Sequence, residues 1–446
     1  MHKSWNLLDR LQKKYYLTVK FKFWASHFIA LIWMVFSICI SYPWIADLAK
    51  IVTFPIAVII ITGIAYIPGY LNAFLIMSLL FDKQPVVKDE FPIDPVTILI
   101  AAYNEEKSIY NTVKYIKNQD HKGKIKVIII DNASKDKTAP EAKRAIEELQ
   151  LDGEILYEEK PGKFYALNHG LQHVETKYVI TLDADTVIHQ SAVRNLIARI
   201  ESSPNDVAAV AGSVLVRNSR ENIWTKIQEW DYFLGIASIK RLQGLYQGTL
   251  VAQGAFSLYK TKTILEIGGW PDAIGEDIVV TWKLLERRNM VYFEPLAVAF
   301  TDVPTSLMHF IRQRSRWARG MIEGLQAIKP WEQPQIYTKY LTGVNLIMPF
   351  LDVTYTFSWI PGLILALFGH YWIVGPMTLL VLPLTLISFG ILYLYQKRFV
   401  FSPLNLKVRK NIVGFILFIL FYQMIMSPAS TYGYLQEFLK MDRRWK

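Results

Sequence analysis

The sequence predicts an α/β domain of the Rossmann-like class, inserted between an amino-terminal and a carboxy-terminal group of membrane helices. The chain has 446 residues, of which 52% are hydrophobic, and its mean hydropathy of +0.21 is high for a soluble enzyme. The long apolar stretches lie near the two ends. Between them, short β-branched runs alternate with charged segments of helical period, a pattern typical of a parallel sheet covered by helices. We therefore expect a membrane region at 1–81, a soluble domain at 82–335 and a second membrane region at 336–446.

Two apolar stretches, at about 23–40 and 51–80, form the first membrane region. Six basic residues precede the first stretch, and such an excess marks the cytosolic side of a membrane. They are Lys3, Arg10, Lys13, Lys14, Lys20 and Lys22. No small-residue cleavage site follows, so we expect an uncleaved helix rather than a signal peptide. Two crossings return the chain to the cytosol at Asp82, which predicts a multi-pass protein of the inner (plasma) membrane with a cytoplasmic central domain.

The carboxy-terminal region contains two or three membrane helices. Apolar stretches at about 341–368 and 373–395 lead to a basic loop that reads as cytosolic, and a last stretch begins at Ile412 and continues to about Tyr434. The tail is basic, with Lys440, Arg443, Arg444 and Lys446. A fifth full crossing would place this tail outside, whereas a re-entrant or interfacial segment would keep it inside. The sequence leaves both topologies open.

Charge and cysteine content limit the function classes. The formal net charge is +11, which favours a phosphate-bearing substrate or anionic lipid as partner. The basic residues stand beside membrane stretches and in one motif rather than on a single face, so nucleic acid is not an expected partner. The one cysteine, Cys39, excludes an intrachain disulfide and a thiolate metal site.

Two aspartates at a strand end give the strongest chemical signal. Strands are expected at 96–101, 126–131, 154–157, 178–182 and 208–213, and the fourth ends in Asp183-Ala-Asp185. Residues two apart in a strand point the same way, so Asp183 and Asp185 can approach one Mg²⁺ or Mn²⁺ ion that bridges a diphosphate. An isolated pair of this kind is more often an aspartate-rich turn, so the other motifs decide whether the pair is a metal site.

Polar residues also follow the first two predicted strands, at the edge where open α/β sheets bind ligands. Asp131 ends the strand Ile128-Ile-Ile and can accept a hydrogen bond from a base NH. Tyr103 can stack on the base, and Glu105 can hold the base or the ribose. Helix capping is the alternative role for the residues of both segments.

Two further segments contribute charged groups. Lys163 follows Gly162 at the start of an expected helix, where it can neutralise a phosphate, although a solvated lysine is equally expected. Glu276 and Asp277 stand before an amphipathic segment. Asp277 is the candidate general base and Glu276 is assigned to the substrate site, with helix capping as the alternative for both.

The run from His309 to Trp317 is rich in arginine. Gln313, Arg316 and Trp317 lie one helical turn apart, and they offer an amide for a hydroxyl, a guanidinium for a diphosphate and an aromatic face for a sugar ring. A basic stripe on a membrane-surface helix is the alternative.

Together these motifs resemble the processive family 2 glycosyltransferases, which include hyaluronan, chitin and cellulose synthases. The family's D, DxD, (T/G)ED and QxxRW signature is matched at Asp131, Asp183 with Asp185, Gly275-Glu-Asp277 and Gln313 to Trp317. The resemblance implies a GT-A fold, Asp131 and Tyr103 at the uracil, Lys163 at the diphosphate, the DxD pair at the metal and Asp277 as base. It places Gln313, Arg316 and Trp317 at the acceptor and at the rim of the diphosphate site, at the mouth of a transmembrane channel.

Within the family, the segments 275–284 and 292–296 look most similar to bacterial poly-β-1,6-N-acetylglucosamine synthases. The resemblance implies inverting, processive transfer of N-acetylglucosamine from a UDP-sugar to a β-linked polysaccharide, coupled to its translocation, and a small membrane accessory subunit. Gln253 replaces a common serine, and Asn132-Ala133 replaces a common Asp-Gly. A single-transfer enzyme acting on a membrane lipid and a non-catalytic transporter or scaffold are the alternatives.

Overall fold

A computed structural model of the chain describes residues 17–83 and 85–441. The basic residues at 3, 10, 13 and 14 and those of the tail at 443, 444 and 446 therefore lie outside the described residues. The chain divides into two compact units. The end unit comprises Met1–Pro85 and Phe350–Gly390, and the central unit comprises Val86–Pro349 and Ile391–Lys446.

The amino-terminal part of the end unit is helical. Its helices are α1 (Val19–Ile40), the short α2 (Tyr42–Ala49) and α3 (Phe54–Leu80), which contains a π-helical turn at Thr62–Tyr66. Helices α1 and α3 cover the two apolar stretches predicted from sequence. The short α2 was not predicted. It buries Ile45 and Leu48 against Ala57 and Ile61 of α3 in a small apolar cluster.

One sheet of eight strands organises the central unit, in the order β3-β2-β1-β4-β7-β6-β8-β5. The strands are β1 (Val96–Ala102), β2 (Ile125–Asp131), β3 (Asp152–Tyr157), β4 (Tyr178–Leu182), β5 (Val187–Ile188), β6 (Val207–Val216), β7 (Phe256–Lys260) and β8 (Met290–Thr301). All five predicted strands occur, and β5, β7 and β8 were missed. The sheet is mixed rather than fully parallel, because β7 runs antiparallel to both β4 and β6.

Helices cover this sheet. They are α4 (Ile109–Lys117), α5 (Thr138–Glu148), α6 (Lys163–Leu171), α7 (Ala192–Glu201), α8 (Ile223–Trp230), α9 (Ala237–Leu245), α10 (Thr261–Glu266), α11 (Glu276–Glu286) and α12 (Leu307–Ala327), with a π-helical turn at Asp231–Ile236 between α8 and α9. Strands β2, β1 and β4 are apolar at their centres, and Ile98, Ile100, Ile129 and Ile180 belong to one buried core. This layered core holds the strand ends in fixed register.

Three long helices follow α12: α13 (Ile336–Leu367), α14 (Pro376–Gln396) and α15 (Ile412–Phe438). Among the described residues, α1, α3, α13 and α15 are long and apolar enough to cross a membrane. Helix α14 has 21 residues and covers the apolar stretch predicted at 373–395. The predicted arrangement of a sheet domain between membrane helices therefore matches the helices that the structure contains.

Candidate active site

Three adjacent strands bring the predicted nucleotide and metal residues to one edge of the sheet. Strand β1 lies between β2 and β4 and is parallel to both. The register pairs Ala102 with Asp131 and Leu99 with Thr181. Tyr103, Asp131 and Asp183 therefore leave the sheet at the same, carboxyl edge, which is the ligand-binding edge of open α/β sheets.

The loops after β1 and β2 are cross-linked to each other. Ser134 Oγ accepts a hydrogen bond from the Asn104 amide at 3.0 Å, and Thr138 Oγ1 accepts one from the Glu105 amide at 2.7 Å. The Lys135 amide donates to Asn104 Oδ1 at 2.8 Å in the opposite direction. These bonds hold the segment that carries Tyr103 and Glu105 in a fixed position beside the end of β2. Tyr103 is 37% exposed, so its ring is accessible to a ligand.

Asp131 is buried, and its Oδ1 accepts a hydrogen bond from the Ser134 amide at 3.3 Å. This is a turn contact of the kind that the capping alternative anticipated. The start of α5 is capped by a different acid, because Asp136 Oδ1 accepts a hydrogen bond from the Thr138 amide at 3.0 Å. Asp131 is therefore not the residue that caps the helix.

The Asn132-Ala133 pair shapes the turn that precedes Lys163. The Asn132 side chain donates to the carbonyl oxygens of Glu158 and Lys160 at 3.1 and 2.6 Å, and it accepts from the Gly162 amide at 2.8 Å. Ala133 has a φ of 58°, in the left-handed region where glycine is favoured. The asparagine thus positions Lys163 through the backbone, a role that the sequence did not reveal.

Lys163 connects the aspartate pair to the start of α11. Its Nζ lies 2.5 Å from Asp183 Oδ1 and 3.8 Å from Glu276 Oε1. Burial disfavours its charge, but Asp183 and Glu276 outweigh burial and raise the pKa of Lys163 above its ordinary value. A Cβ at Gly254 would lie 2.8 Å from this Nζ, so glycine leaves the space that the ammonium occupies. The lysine is therefore a fixed cation beside the DxD pair.

Asp185 accepts hydrogen bonds from the hydroxyls of Thr186 and Thr301, at 3.2 and 3.4 Å. Burial, together with the charges of Asp183 and Glu105, raises the pKa of Asp185 to about 7. Thr301 ends β8, a strand that the sequence did not predict, so its contribution was missed. The local excess of negative charge favours binding of a cation.

The donor set at this point fits a divalent metal that also binds substrate oxygens. Among residues 17–83 and 85–441, no group of three or more histidine, cysteine, aspartate or glutamate side chains is arranged to hold a metal on its own. Mg²⁺ and Mn²⁺ take hard oxygen ligands, and Mg²⁺ commonly takes one or two carboxylates with substrate phosphates and water. Asp183 and Asp185 supply two such carboxylates, and the remaining ligands would come from a diphosphate and solvent.

Helix α11 begins with the two acids. Asp277 Oδ2 accepts from the Gly254 amide at 3.4 Å and its Oδ1 accepts from the Ile278 amide at 2.9 Å. Glu276 is buried, and burial together with the charge of Asp277 outweighs Lys163 and raises the pKa of Glu276 to about 7. Glu276 is therefore buried beside Lys163, whereas Asp277 is half-buried and accepts hydrogen bonds from two backbone amides.

A short strap, residues 250–252, runs between α9 and the Gln253-Gly254 turn and is held by side chains. Trp282 Nε1 donates to the Leu250 carbonyl at 3.1 Å, and Thr281 Oγ1 accepts from the Ala252 amide at 2.9 Å. Lys240 Nζ donates to the Val251 carbonyl at 2.6 Å. Burial lowers the pKa of Lys240 to about 8. No motif indicated this lysine in the sequence.

Helix α12 is held against the start of α11 by contact between two glycines. A Cβ on Gly275 would lie 2.6 Å from the Gly320 Cα, and a Cβ on Gly320 would lie 2.8 Å from the Gly275 Cα. The Gly275 amide also donates to Glu323 Oε2 at 3.0 Å. This approach brings the arginine-rich motif to the helix that carries Asp277.

The motif residues lie on the amino-terminal half of α12. Gln313, Arg316 and Trp317 are half-buried, and the charge of Arg316 acts on Glu276. The Arg314 guanidinium lies 4.1 Å from the Trp317 ring centre and 2.9 Å from Asp231 Oδ2. This buried arginine positions the tryptophan, and no motif distinguishes it from the neighbouring arginines in the sequence.

The structure therefore brings Lys163, Asp183, Glu276 and Asp277 into one connected group. Arg316 is linked to this group by its charge and Asp185 by its neighbour Asp183. Tyr103, Glu105 and Asp131 stand at the adjoining strand ends. Gln313 and Trp317 share the helix that contacts Gly275, and no direct bond joins them to the acids.

Comparison with known proteins places the chain in a family. The family model described as Glycosyl transferase family 2 matches residues 97–268. The poly-beta-1,6-N-acetyl-D-glucosamine synthase of Staphylococcus aureus (strain COL) is 34% identical over 244 residues, 54% of this chain and 57% of that protein. The synthase of that name from Staphylococcus epidermidis (strain ATCC 35984) is 32% identical over 288 residues, 64% of this chain and 68% of the relative.

A solved structure resembles the fold. It is the mannosyltransferase PcManGT from Pyrobaculum calidifontis in complex with GDP-Man and Mn²⁺, with a TM-score of 0.56 and 18% identity, over 82% of this chain and 93% of that one. The predicted GT-A class is confirmed. The alignment spans little more than half of the S. aureus synthase. On the family match and the 32% identity to the S. epidermidis relative, the chain belongs to glycosyl transferase family 2.

Proposed function

We propose that this protein is a membrane-bound, inverting glycosyltransferase that transfers N-acetylglucosamine from UDP-N-acetylglucosamine to a growing β-1,6-linked polysaccharide. The observation that carries the proposal is the connected group of Lys163, Asp183, Glu276 and Asp277 at the ligand-binding edge of the sheet. The name of the two staphylococcal relatives supports the sugar and the linkage.

The donor would occupy the edge formed by β1, β2 and β4. Tyr103 would stack on the uracil, with Asp131 accepting from the base NH and Glu105 close to the ribose. Lys163 is already a fixed cation next to Asp183, and it would neutralise charge on the diphosphate as it leaves. A divalent ion, Mg²⁺ or Mn²⁺, held by Asp183 and Asp185 would supply further electrostatic stabilisation of that leaving group.

Asp277 would act as the general base. The acceptor oxygen forms a bond to the anomeric carbon while the bond from that carbon to the phosphate oxygen breaks. The hydroxyl proton goes to Asp277, and the bonding electron pair leaves with UDP. A single displacement of this kind inverts the anomeric centre. The Gly254 amide, which donates to Asp277 Oδ2, would orient the carboxylate.

Helix α12 would bind the acceptor end of the polymer. Gln313 Oε1 is buried without a hydrogen-bond partner, and its side chain would turn toward the acceptor to accept from a sugar hydroxyl. Trp317 offers a ring face that Arg314 holds in place, and Arg316 would contact the diphosphate. Keeping the polymer end at this position after each transfer would make the reaction processive.

The cellular setting follows from the apolar helices. We propose that the protein resides in the inner membrane with its catalytic domain in the cytoplasm, passes the polymer across the bilayer and works with a small membrane accessory subunit. The helices that are long and apolar enough to cross a membrane support residence there.

The test uses purified membranes that contain the protein. We expect UDP release with UDP-N-acetylglucosamine in the presence of Mg²⁺ or Mn²⁺, loss of release with a chelator, and a long polymer degraded by a β-1,6-specific hydrolase. Asp277→Asn should abolish release, whereas Glu266→Gln, at an exposed acid on α10, should not. A single sugar on a lipid would refute processivity, and release unaffected by Asp277→Asn would refute the assigned base.

A further inference from the structure

The last helix, α15, is bonded to the central unit at its first turn. The Asn411 side chain donates to the Lys226 carbonyl at 2.9 Å and to Glu229 Oε2 at 2.5 Å. Trp230 Nε1 donates back to the Asn411 carbonyl at 2.9 Å. Glu229 is also paired with Arg220 at 2.6 Å, so this end of α15 is anchored on a charged cluster at α8.

The far end of α15 is bonded to the same unit. Ser315 Oγ donates to Gln436 Oε1 at 2.8 Å, and Arg319 Nε donates to Glu437 Oε2 at 3.2 Å. Arg319 also donates to the Met441 carbonyl at 2.8 Å, beyond the end of the helix. Gly433 packs so closely on the Ser315 carbonyl that a Cβ has no room there.

The two anchor points lie on α8 and on α12, which belong to the same folded unit and are joined to each other by an ion pair. Asp231 directly follows α8, and it pairs with Arg314 of α12 at 2.9 Å. In the middle of α15, Tyr422 lies 6.2 Å from the Phe310 ring and 6.0 Å from the Arg314 guanidinium. Helix α15 therefore follows α8 and then α12 along its whole length.

This arrangement conflicts with a full crossing. Helix α15 has 27 residues and is about 40 Å long, which is enough to span a hydrocarbon core of about 30 Å. A crossing would place the cluster around Glu229 and the cluster around Arg319 on opposite sides of the bilayer. Because α8 and α12 pack along α15, charged side chains of one of these two helices would then lie in the hydrocarbon core, at a cost of several kcal/mol for each charge.

The buried and exposed faces of α15 differ mainly in the size of their side chains, because most of the helix surface is apolar. Most of the buried residues are small or polar, including Gly414, Ser427, Ala429, Ser430 and Gly433, and Phe418 and Tyr434 are the large exceptions. The exposed residues are large and apolar and include Ile412, Ile416, Leu420, Leu435 and Phe438. Arg409 and Lys410 precede the helix and Lys440 follows it, where they can meet anionic headgroups.

We propose that α15 does not cross the bilayer but lies along its surface, with its apolar face in lipid and its other face on α8 and α12. Both of its ends, and the basic tail, then stay on the side of the central unit. This topology removes the conflict in the sequence between the basic residues near Lys440, which favour the cytosolic side, and a fifth crossing, which would place them outside. It does not depend on the proposed reaction, because only the membrane location of the chain is required.

Cysteine accessibility tests the proposal. In a Cys39→Ser background, single cysteines would replace Ser402 before α15, Lys440 after it and Asp89 elsewhere in the central unit; all three positions are exposed. Asp47→Cys, between α1 and α3, reports on the opposite side of the membrane, where the sequence predicts that this segment lies. A membrane-impermeant maleimide is applied to intact cells and to permeabilised cells.

We expect Asp47→Cys to be labelled in intact cells, and the other three cysteines to be labelled only after permeabilisation. Labelling of Lys440→Cys in intact cells, with Ser402→Cys and Asp89→Cys still protected, would show a full crossing and overturn the proposal. The readout is independent of UDP release, so a failure of the proposed reaction would not affect it.

Discussion

The contact between Gly275 and Gly320 gives a sharp test of how the acceptor motif is positioned. In Gly320→Ala, the new methyl group would lie 2.8 Å from the Gly275 Cα and 3.1 Å from its nitrogen, whereas ordinary Cβ contacts lie at 3.4–4 Å. Both atoms belong to the backbone, so no side-chain rotation relieves the overlap. Helices α11 and α12 must therefore separate by about 1 Å.

A displacement of about 1 Å between a base and its substrate commonly costs about 10²-fold in rate. We expect Gly320→Ala to lower kcat for UDP release by about that factor. Affinity for UDP should fall much less than kcat, because Lys163 and Asp183 belong to α6 and to the end of β4, and only the proposed Arg316 contact with the diphosphate lies on α12. The assay combines steady-state UDP release with UDP binding by titration calorimetry.

The matched control is Gly343→Ala, the same substitution in a helix where an added Cβ meets nothing within 4 Å. It should leave both kcat and UDP affinity unchanged. The reasoning is refuted if Gly320→Ala behaves like this control, or if it weakens UDP binding as much as it slows turnover.

Three further predictions concern individual side chains. Asp183→Ala and Asp185→Ala should each abolish turnover and metal-dependent donor binding, while Asp277→Asn keeps donor binding; equal loss of donor affinity in all three would contradict that division. The pKa of Lys240 is lowered to about 8 from 10.5, so the folded state binds fewer protons between these values and stability should rise with pH there. Lys240→Met should remove that rise and should increase the free energy of unfolding at pH 7 by up to about 3 kcal/mol, and with it the melting temperature; identical pH slopes would disprove it. Glu294→Gln removes the carboxylate charge beside the buried Arg199 guanidinium and should cost about 3–5 kcal/mol in chemical denaturation, and a loss below about 1 kcal/mol would contradict it.

Much of the sheet was predictable because its first strands have simple patterns. Ile128 to Ile130 form an apolar run that ends in a polar turn, and β1 and β4 follow the same rule. Parallel strands of this kind are buried on both faces, so hydrophobicity alone locates them. The convergence of Tyr103, Asp131 and Asp183 at one edge follows directly from their positions at strand ends.

The missed strands lack that signal. Strand β7 contains Ser257 and ends in Lys260, and β8 contains Glu294 and Pro295, which interrupt the apolar pattern. Glu294 is tolerated because Arg199 of α7 lies 2.6 Å away, a partner about a hundred residues distant in the chain. Pairing over such a separation depends on the tertiary fold and leaves no local pattern.

The site residues that were missed share the same cause. Lys240 and Arg314 each have neighbours of similar charge in sequence, and what distinguishes them is a specific contact, with the Val251 carbonyl for Lys240 and with Asp231 for Arg314. Asn132 was noted as a departure from the family pattern, yet its function depends on the carbonyls of Glu158 and Lys160. Each of these roles is defined by a contact with a distant segment, so composition and spacing do not reveal it.

The bonds between the loops after β1 and β2 have a consequence for substrate choice. Each bond pairs a side chain of one loop with a backbone amide of the other, so the protein's own bonds set the positions of the backbone around Tyr103. When a nucleotide binds here, the two loops would lose little additional conformational entropy, and the base would contact a surface of fixed shape. Discrimination between nucleotides would then depend on steric fit to this rigid surface. A change of nucleotide specificity would require substitutions in both loops together.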